Sequence, residues 1–215
     1  MNELSVLCEK LGADVELVRQ GIGSDSRIGP DFLFPGVGYG GSCFPKDIRA
    51  LIRIAEEQGV EMSIVKAVQQ VNITQQKRFA KQILDYFVGQ EHTTTLAVWG
   101  LAFKAKTDDI RESPAIFCIK EFLAAGLKIK AYDPQVESAA VKTLDSKIYT
   151  GKNAYDVLKD ADALVIFNDW QEFRNADFEL IAKNLKNAVI FDGKNLYNPQ
   201  SVSKAGIEYH SVGRP

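Results

Sequence analysis

Histidine is nearly absent from this chain of 215 residues: His92 and His210 are the only two, and nothing in the sequence favours pairing either with a serine or a cysteine as a catalytic base. Cysteine is almost as scarce. Cys8, Cys43 and Cys118 are odd in number, far apart, and form neither a CxxC pair nor any zinc-ligand spacing, which argues against a disulfide framework and gives no metal site. No apolar run approaches the roughly 18 residues of a membrane span. Met1 to Lys10 has neither the basic start nor the apolar stretch of a secretory leader, so the expected compartment is the cytoplasm. Positive charge is not in excess either. A formal net charge of −2 gives no general basic field, which removes nucleic acid as an expected partner and means that an anionic ligand needs locally placed cations.

What is present is a globular composition, 46% hydrophobic and 25% charged, sufficient for one large core or two small ones. Residues 1–90 carry helical periodicity and residues 91–215 carry strands alternating with helices. Met1 to Lys10 reads as an amphipathic helix with Leu4, Leu7, Cys8 and Leu11 on one face and Gly12 as its stop. No capping residue precedes it, so the chain reads as starting in mid-helix, as a truncation would; a natural start at Met1 is the alternative. Asp14 caps a second helix over Val15 to Gln20, and Ser24 to Pro35 reads as surface loop. A helix to Gln58 follows, then a long one capped by Ser63 that runs to Phe87, with apolar positions divided between core and a subunit interface.

Strands are expected at Leu96 to Trp99, Ile129 to Tyr132, Ala163 to Phe167, Ala188 to Phe191 and Ile207 to His210. Helices open at Ser113 and Pro114, at Asn153 or Ala154, and at Asp177. The fold class is therefore α/β, a helical N-terminal region followed by a Rossmann-like domain with a mostly parallel sheet. Ligands of such sheets sit at the C-terminal strand ends, where Phe103, Lys104, Lys106, Asp133, Asn168, Asp169, Gly193 and Lys194 fall. The turn after the first strand, WGLAFKAK, has one glycine where a dinucleotide fingerprint has three, so a mononucleotide or nucleotide sugar suits it better than NAD. Asp133, followed by Pro134, suits a strand-ending turn better than a ribose contact.

The chemistry concentrates in FLFPGVGYGGSCFPKD, Phe32 to Asp47. Gly36, Gly38, Gly40 and Gly41 permit positive φ and close approach to a ligand, and Pro45 suits the first turn of a helix. Cys43 then sits at or just before a helix N-terminus, where unpaired N–H groups, the helix dipole and Lys46 favour a thiolate. Two plainer alternatives stand beside this one. Cys43 could be a small buried hydrophobe, although its Gly, Ser, Lys and Asp neighbours suit binding better than burial. Gly36, Gly38 and Gly41 also match GxGxxG, but without the preceding strand that a dinucleotide fingerprint needs.

Three segments, SDSRIG at Ser24 to Gly29, GYGGSCFPKD at Gly38 to Asp47 and AFKAKTDDIRESPA at Ala102 to Ala115, resemble the UDP-glucose 6-dehydrogenase family in its own order, over nearly all of the chain. The resemblance implies NAD as cofactor, UDP-glucose and UDP-glucuronate as substrate and product, a homodimer, and an NAD-binding domain preceding the matched region. It implies Cys43 as nucleophile in the second of two oxidations at C6. Asp47, one helical turn on, would orient water or take a proton. Arg27 would reach a substrate site across a dimer interface, Phe103 and Lys104 would bind nucleotide sugar, and Lys194 stands where the family more often has arginine. Phe32, Phe34, Gly36, Tyr39 and Gly40 of the loop are further candidate substrate contacts, with Lys46 and Arg111 as candidate cofactor contacts. The close alternatives are a GDP-mannose or UDP-N-acetylmannosamine dehydrogenase and a noncatalytic nucleotide-sugar-binding scaffold.

Overall fold

The computed structural model describes residues 1–215. The first part is helical: α1 (Asn2–Leu11), α2 (Val15–Gly23), α3 (Phe44–Glu57) and α4 (Ser63–Tyr86). Gly12 closes α1 at φ 66°, and the Asp14 side chain accepts from the Glu16 N–H at the start of α2. The glycines within α2 do not stop it at Gln20; each costs about 1 kcal/mol against alanine, which a packed helix tolerates. Ser63 is the first helical residue of α4 and not its cap, and no side chain caps that end.

The expected inward face of α1 is also turned. Ser5 and Cys8 are buried, whereas Leu4, Leu7 and Leu11 are exposed. The reason lies at the other end of the chain, where Gly213 donates its N–H to Glu9, accepts from Val15 N–H, and packs its backbone onto Ser5. Only a small side chain fits beneath that strap, so the leucines face outward.

The second part is a six-stranded sheet of β1 (Thr95–Trp99), β2 (Lys128–Tyr132), β3 (Tyr149–Thr150), β4 (Ala163–Ile166), β5 (Val189–Asp192) and β6 (Glu208–Ser211). All five pairings are parallel, in the order β3-β2-β1-β4-β5-β6. Strand alternation divides the core. Leu96, Val98, Ile129, Ala131, Val165 and Phe191 face one side, which is covered by α4, α5 (Pro114–Ala124) and α6 (Ser138–Lys142). Ala97, Trp99, Leu164, Ile166 and Ile190 face the other, which is covered by a 3-10 turn at Asp156–Leu158 with α7 (Gln171–Arg174), α8 (Phe178–Asn184) and α9 (Pro199–Lys204). The order of strand addition reverses between β1 and β4, and the crevice at such a switch point is where open α/β sheets bind ligands. No helix is long and apolar enough to cross a membrane.

The two parts share one core. Phe79, Ala80 and Ile83 of α4, with Phe87 just after it, belong to the same cluster as Leu96, Phe122, Val165 and Phe191. Burial of each large side chain stabilises this junction by about 1.5–3 kcal/mol, so the second half of α4 is fixed to the sheet. Its first two turns are not: Ile64 and Val68 are exposed, whereas Asn72 and Gln75 further on are buried.

Asp133 ties the strand ends together. Its Oδ2 accepts from the N–H groups of Leu101 (2.8 Å) and Ala102 (3.2 Å), and its Oδ1 from those of Gln135 and Val136. Both oxygens are thus engaged by backbone, which makes Asp133 the fastener between the β1 and β2 loops. Replacing it by alanine strips partners from the buried Leu101 and Ala102 amides, and Asp133→Ala is expected to lower unfolding stability by about 2–4 kcal/mol in urea titration. An unchanged midpoint would remove Asp133 from this role.

Candidate active site at the cysteine loop

Cys43 is the N-cap of α3 and is exposed, while Cys8 and Cys118 are buried. Burial pushes the Cys118 thiol far up from its usual range, so it is chemically inert beside Cys43. The chain approaches Cys43 through residues 36–41, which lie in a channel between α4 and the C-terminal end of the sheet. On the α4 side, Asn72 Oδ1 accepts from Tyr39 N–H (2.8 Å), Asn72 Nδ2 donates to the Tyr39 carbonyl (3.1 Å), and Gln76 Nε2 donates to that carbonyl at 3.3 Å. Gln75 Nε2 donates to the Gly36 carbonyl at 2.8 Å. On the sheet side, Val37 N–H donates to the Gly193 carbonyl and Gly41 N–H to the Arg111 carbonyl, each at 3.2 Å.

The glycines serve this channel. A methyl group at Gly40 would lie 2.1 Å from the Glu112 carbonyl oxygen, and one at Gly36 would lie 2.8 Å from the Gly193 carbonyl oxygen. Gly41, at φ 94°, would put its methyl 2.9 Å from the Phe103 ring. Of the four loop glycines, Gly38 and Gly41 have positive φ, and Gly36 and Gly40 do not. The close approach expected of these residues is made to the protein's own backbone and to Phe103. No strand precedes the loop, so the literal GxGxxG match is not a dinucleotide cradle.

Cations rim the thiol, each with a carboxylate partner. Lys46 pairs with Asp47 at 3.0 Å, and that hydrogen bond holds the Lys46 ammonium above its usual range, with a smaller attraction from Cys43. Arg111 forms two bonds of 2.9 Å to Asp109, which raise its pKa; the Cys43 sulfur again adds a smaller attraction. The Arg111 guanidinium holds the Asp109 carboxyl down to about 2, with further help from the Ser42 side chain. Lys46 and Arg111 remain 67% and 71% exposed, so both charges are open to a ligand.

Lys194 enters from β5. Asp192, fully buried, accepts from the N–H groups of Lys194 (2.8 Å) and Leu196 (2.7 Å) and from the Tyr209 hydroxyl (2.7 Å). Burial pushes the Asp192 carboxyl up, and those three donors act against that shift. Burial also raises Asp169, but Arg174 and then Lys194 outweigh it, so its carboxyl lies below the usual range. Lys104 lies over the Phe103 ring at 5.3 Å.

The structure therefore gathers Gly36, Tyr39, Gly40, Cys43, Lys46, Asp47, Phe103, Lys104, Arg111 and Lys194 around the strand ends and the α3 N-terminus. It does not bring Arg27, Phe32 or Phe34 into that group. Arg27 pairs with Asp25 in an exposed loop, Phe32 is wholly exposed, and Phe34 lies beneath the Arg19 guanidinium at 4.5 Å. Asn72, Gln75, Gln76, Asp109 and Asp192 were not singled out in the sequence. The first three were findable, because three polar residues at i, i+3 and i+4 share one face of a helix whose other turns are apolar there. Asp192 reads as the last residue of a buried strand and gave no sign.

Comparison with known proteins agrees with this layout. A family model for the central domain of the UDP-glucose/GDP-mannose dehydrogenase family matches residues 1–74, and one for its UDP binding domain matches residues 97–199. UDP-glucose 6-dehydrogenase of Pseudomonas aeruginosa is 40% identical over 220 residues, covering 100% of this chain and 49% of that protein. One from Bacillus subtilis is 39% identical over 215 residues, covering 100% and 46%. Among solved structures, a UDP-glucose dehydrogenase from Pyrobaculum islandicum superposes with TM-score 0.84 at 33% identity, covering 100% of this chain and 47% of that one. A UDP-D-ManNAc dehydrogenase from Pyrococcus horikoshii gives TM-score 0.82 at 26% identity, covering 99% and 47%. The chain spans about half the length of the curated relatives it matches. With the central-domain match at the cysteine loop and the UDP-binding match on the sheet, the chain belongs to the UDP-glucose/GDP-mannose dehydrogenase family.

Proposed function

We propose that this chain is the substrate-binding and thiol-bearing part of a UDP-glucose 6-dehydrogenase, a cytoplasmic homodimer that oxidises UDP-glucose to UDP-glucuronate. The observation that carries the proposal is the exposed Cys43 at the N-terminus of α3, rimmed by Lys46 and Arg111 and held by its loop against the ligand-binding edge of the sheet. Relatives named UDP-glucose 6-dehydrogenase at 36–40% identity support the choice of sugar nucleotide. The exposed Leu4, Leu7, Leu11, Leu51, Ile54, Ile64 and Val68 of α1, α3 and α4 support pairing of two copies through the helical part.

In this reading Lys104 and Lys194 meet the diphosphate, supplying locally the positive field that the net charge of −2 lacks. A lysine is a point charge without the two-pronged geometry of arginine, so Lys194 steers the phosphate more than it orients it. Arg27 completes the substrate site of the opposite copy, and the aromatic and glycine residues Phe32, Phe34, Gly36, Tyr39, Gly40 and Phe103 shape it. Neither Gly100 nor the 36–41 loop forms a dinucleotide cradle, so the groups here that suit NAD+ are the exposed cations Lys46 and Arg111. NAD+, when bound, supplies the hydride acceptor for both oxidations.

Cys43 acts on the aldehyde left by the first oxidation. Its sulfur adds to the carbonyl carbon and the oxygen takes a proton, giving a thiohemiacetal; loss of that proton and of a hydride from the carbon leaves a thioester. Water then attacks the thioester, the carbon–sulfur bond breaks, and the thiol and a carboxylate are released. The α3 N-terminus, Lys46 and Arg111 stabilise the negative charge that develops on the sulfur. Asp47, one turn from Cys43, orients that water.

The single sheet of these residues matches the UDP-binding domain, and the 215-residue chain by itself is expected to bind nucleotide sugar without turnover. Calorimetric titration is expected to show heat with UDP-glucose and UDP and none with GDP-mannose. Heat with GDP-mannose alone would overturn the uridine assignment, and a preference for UDP-N-acetylmannosamine would favour the Pyrococcus-like alternative. Formation of NADH by the isolated chain would refute the expectation that it lacks turnover. In alkylation near neutral pH, Cys43 is expected to react at least tenfold faster than Cys8 or Cys118, on the order set by exposure and thiolate character; three equally slow thiols would favour a noncatalytic scaffold.

A further inference from the structure

We infer that Asn72 of α4 is a positioning residue for the Cys43 thiol, an inference that rests on the nucleophile reading above. Asn72 is 9% exposed and uses both ends of its amide on one residue: Oδ1 accepts from Tyr39 N–H at 2.8 Å and Nδ2 donates to the Tyr39 carbonyl at 3.1 Å. A side chain that bonds both polar groups of one loop residue does for that residue what a neighbouring strand would do. Gln76 adds a third bond, to the same carbonyl, and Gln75 holds Gly36 three residues earlier. The loop's hydrogen bonds to α4 thus come from side-chain amides alone, beside the packing of Val37 in the cluster that holds Phe79.

The link from Tyr39 to the sulfur has little slack. Gly40 is wedged against the Glu112 carbonyl, Gly41 is bonded to the Arg111 carbonyl, and the next residues are Ser42 and Cys43. The Tyr39 ring meets Phe44, the first residue of α3, edge to face at 4.7 Å. A shift of Tyr39 is therefore passed both to the loop that ends in Cys43 and to the helix turn whose N–H groups lie beside the thiol. Asn72 is itself buried and lies two turns before Phe79 on the same helix, which the core anchors through Phe79 and Ile83, so the loop is what gives way.

Alkylation of Cys43 in the 215-residue chain with iodoacetamide tests this without requiring turnover. Cys43 is already exposed, so loosening its loop adds no access; what it loses is alignment with the helix N-terminus and the Lys46 and Arg111 cations. Asn72→Ala removes both bonds to Tyr39 and is expected to slow alkylation near neutral pH by about fivefold, within what two lost hydrogen bonds support. Asn72→Asp, which keeps the acceptor for Tyr39 N–H, is expected to fall between that variant and the parent. Gln76→Ala, which removes only the longest of the three bonds, is expected to slow alkylation by less, and it serves as the test if Asn72→Ala does not fold. A lower melting temperature with the Cys43 rate unchanged, or Asn72→Asp reacting no faster than Asn72→Ala, would make Asn72 merely structural and overturn the inference. Parent Cys43 reacting as slowly as Cys8 and Cys118 would instead overturn the nucleophile reading, and this inference with it.

Discussion

The structure depends on a narrow passage. Residues 36–41 run between α4 and the sheet's C-terminal edge, where the backbone comes so close to Gly193, Glu112 and Phe103 that no side chain fits at Gly36, Gly40 or Gly41. A backbone in such a channel leaves its own amides out of any helix or strand, and each must find a partner. Asn72, Gln75 and Gln76 meet that demand from one side and the Gly193 and Arg111 carbonyls from the other. The polar stripe on α4 and the glycine run in the loop are thus one feature seen from two segments more than thirty residues apart. They place Cys43 at the mouth of the channel, on the first turn of α3.

Charge follows the same economy of placement. The chain is slightly acidic overall, yet cations stand at its functional edge, each held by a nearby carboxylate: Lys46 by Asp47, Arg111 by Asp109, and Lys194 attracted to Asp169. Exposed pairs of this kind contribute about 0–1 kcal/mol. They orient the cations at small energetic gain and can yield them to a phosphate group, whose charge-assisted bonds are stronger. Asp192 differs, because it is fully buried and its bonds to Lys194 and Leu196 N–H shape the loop that carries Gly193 into the passage. It belongs to the framework, as Asp133 does between the first two strands.

What could be read in the sequence follows from the range of the forces involved. Five strands were legible: β1, β4 and β5 are runs of four or five residues buried almost throughout, and β2 and β6 each follow a helix-ending glycine, Gly126 and Gly206, whereas β3, two residues at the edge, carries too little pattern to stand out. The one-turn helices α6, α7 and α9 were missed for the same reason. Cys43 at a helix start was legible because Pro45 and the spacing beyond it are local signals. The orientation of α1 was not, since the strap at Gly213 that covers Ser5 lies about two hundred residues away and no local periodicity encodes it. Asn72 stood in plain view on α4, but its purpose depends on a loop that returns from earlier in the chain.

The remaining question is whether the passage is rigid or can open. Opening it means moving α4 from the sheet, which would expose Phe79, Ile83 and Phe87, all at most 3% exposed. At about 1.5–3 kcal/mol for each side chain, that loss exceeds the 1–3 kcal/mol by which one ligand typically biases two states. The first two turns of α4 and the leucine face of α1 carry no such burden, and their apolar side chains already meet solvent. Uncovered apolar surface therefore belongs to the outer helices, while the loop and the strand ends stay in fixed register. A site preorganised in this way needs a ligand only to arrive at the right place, and does not need it to assemble the site.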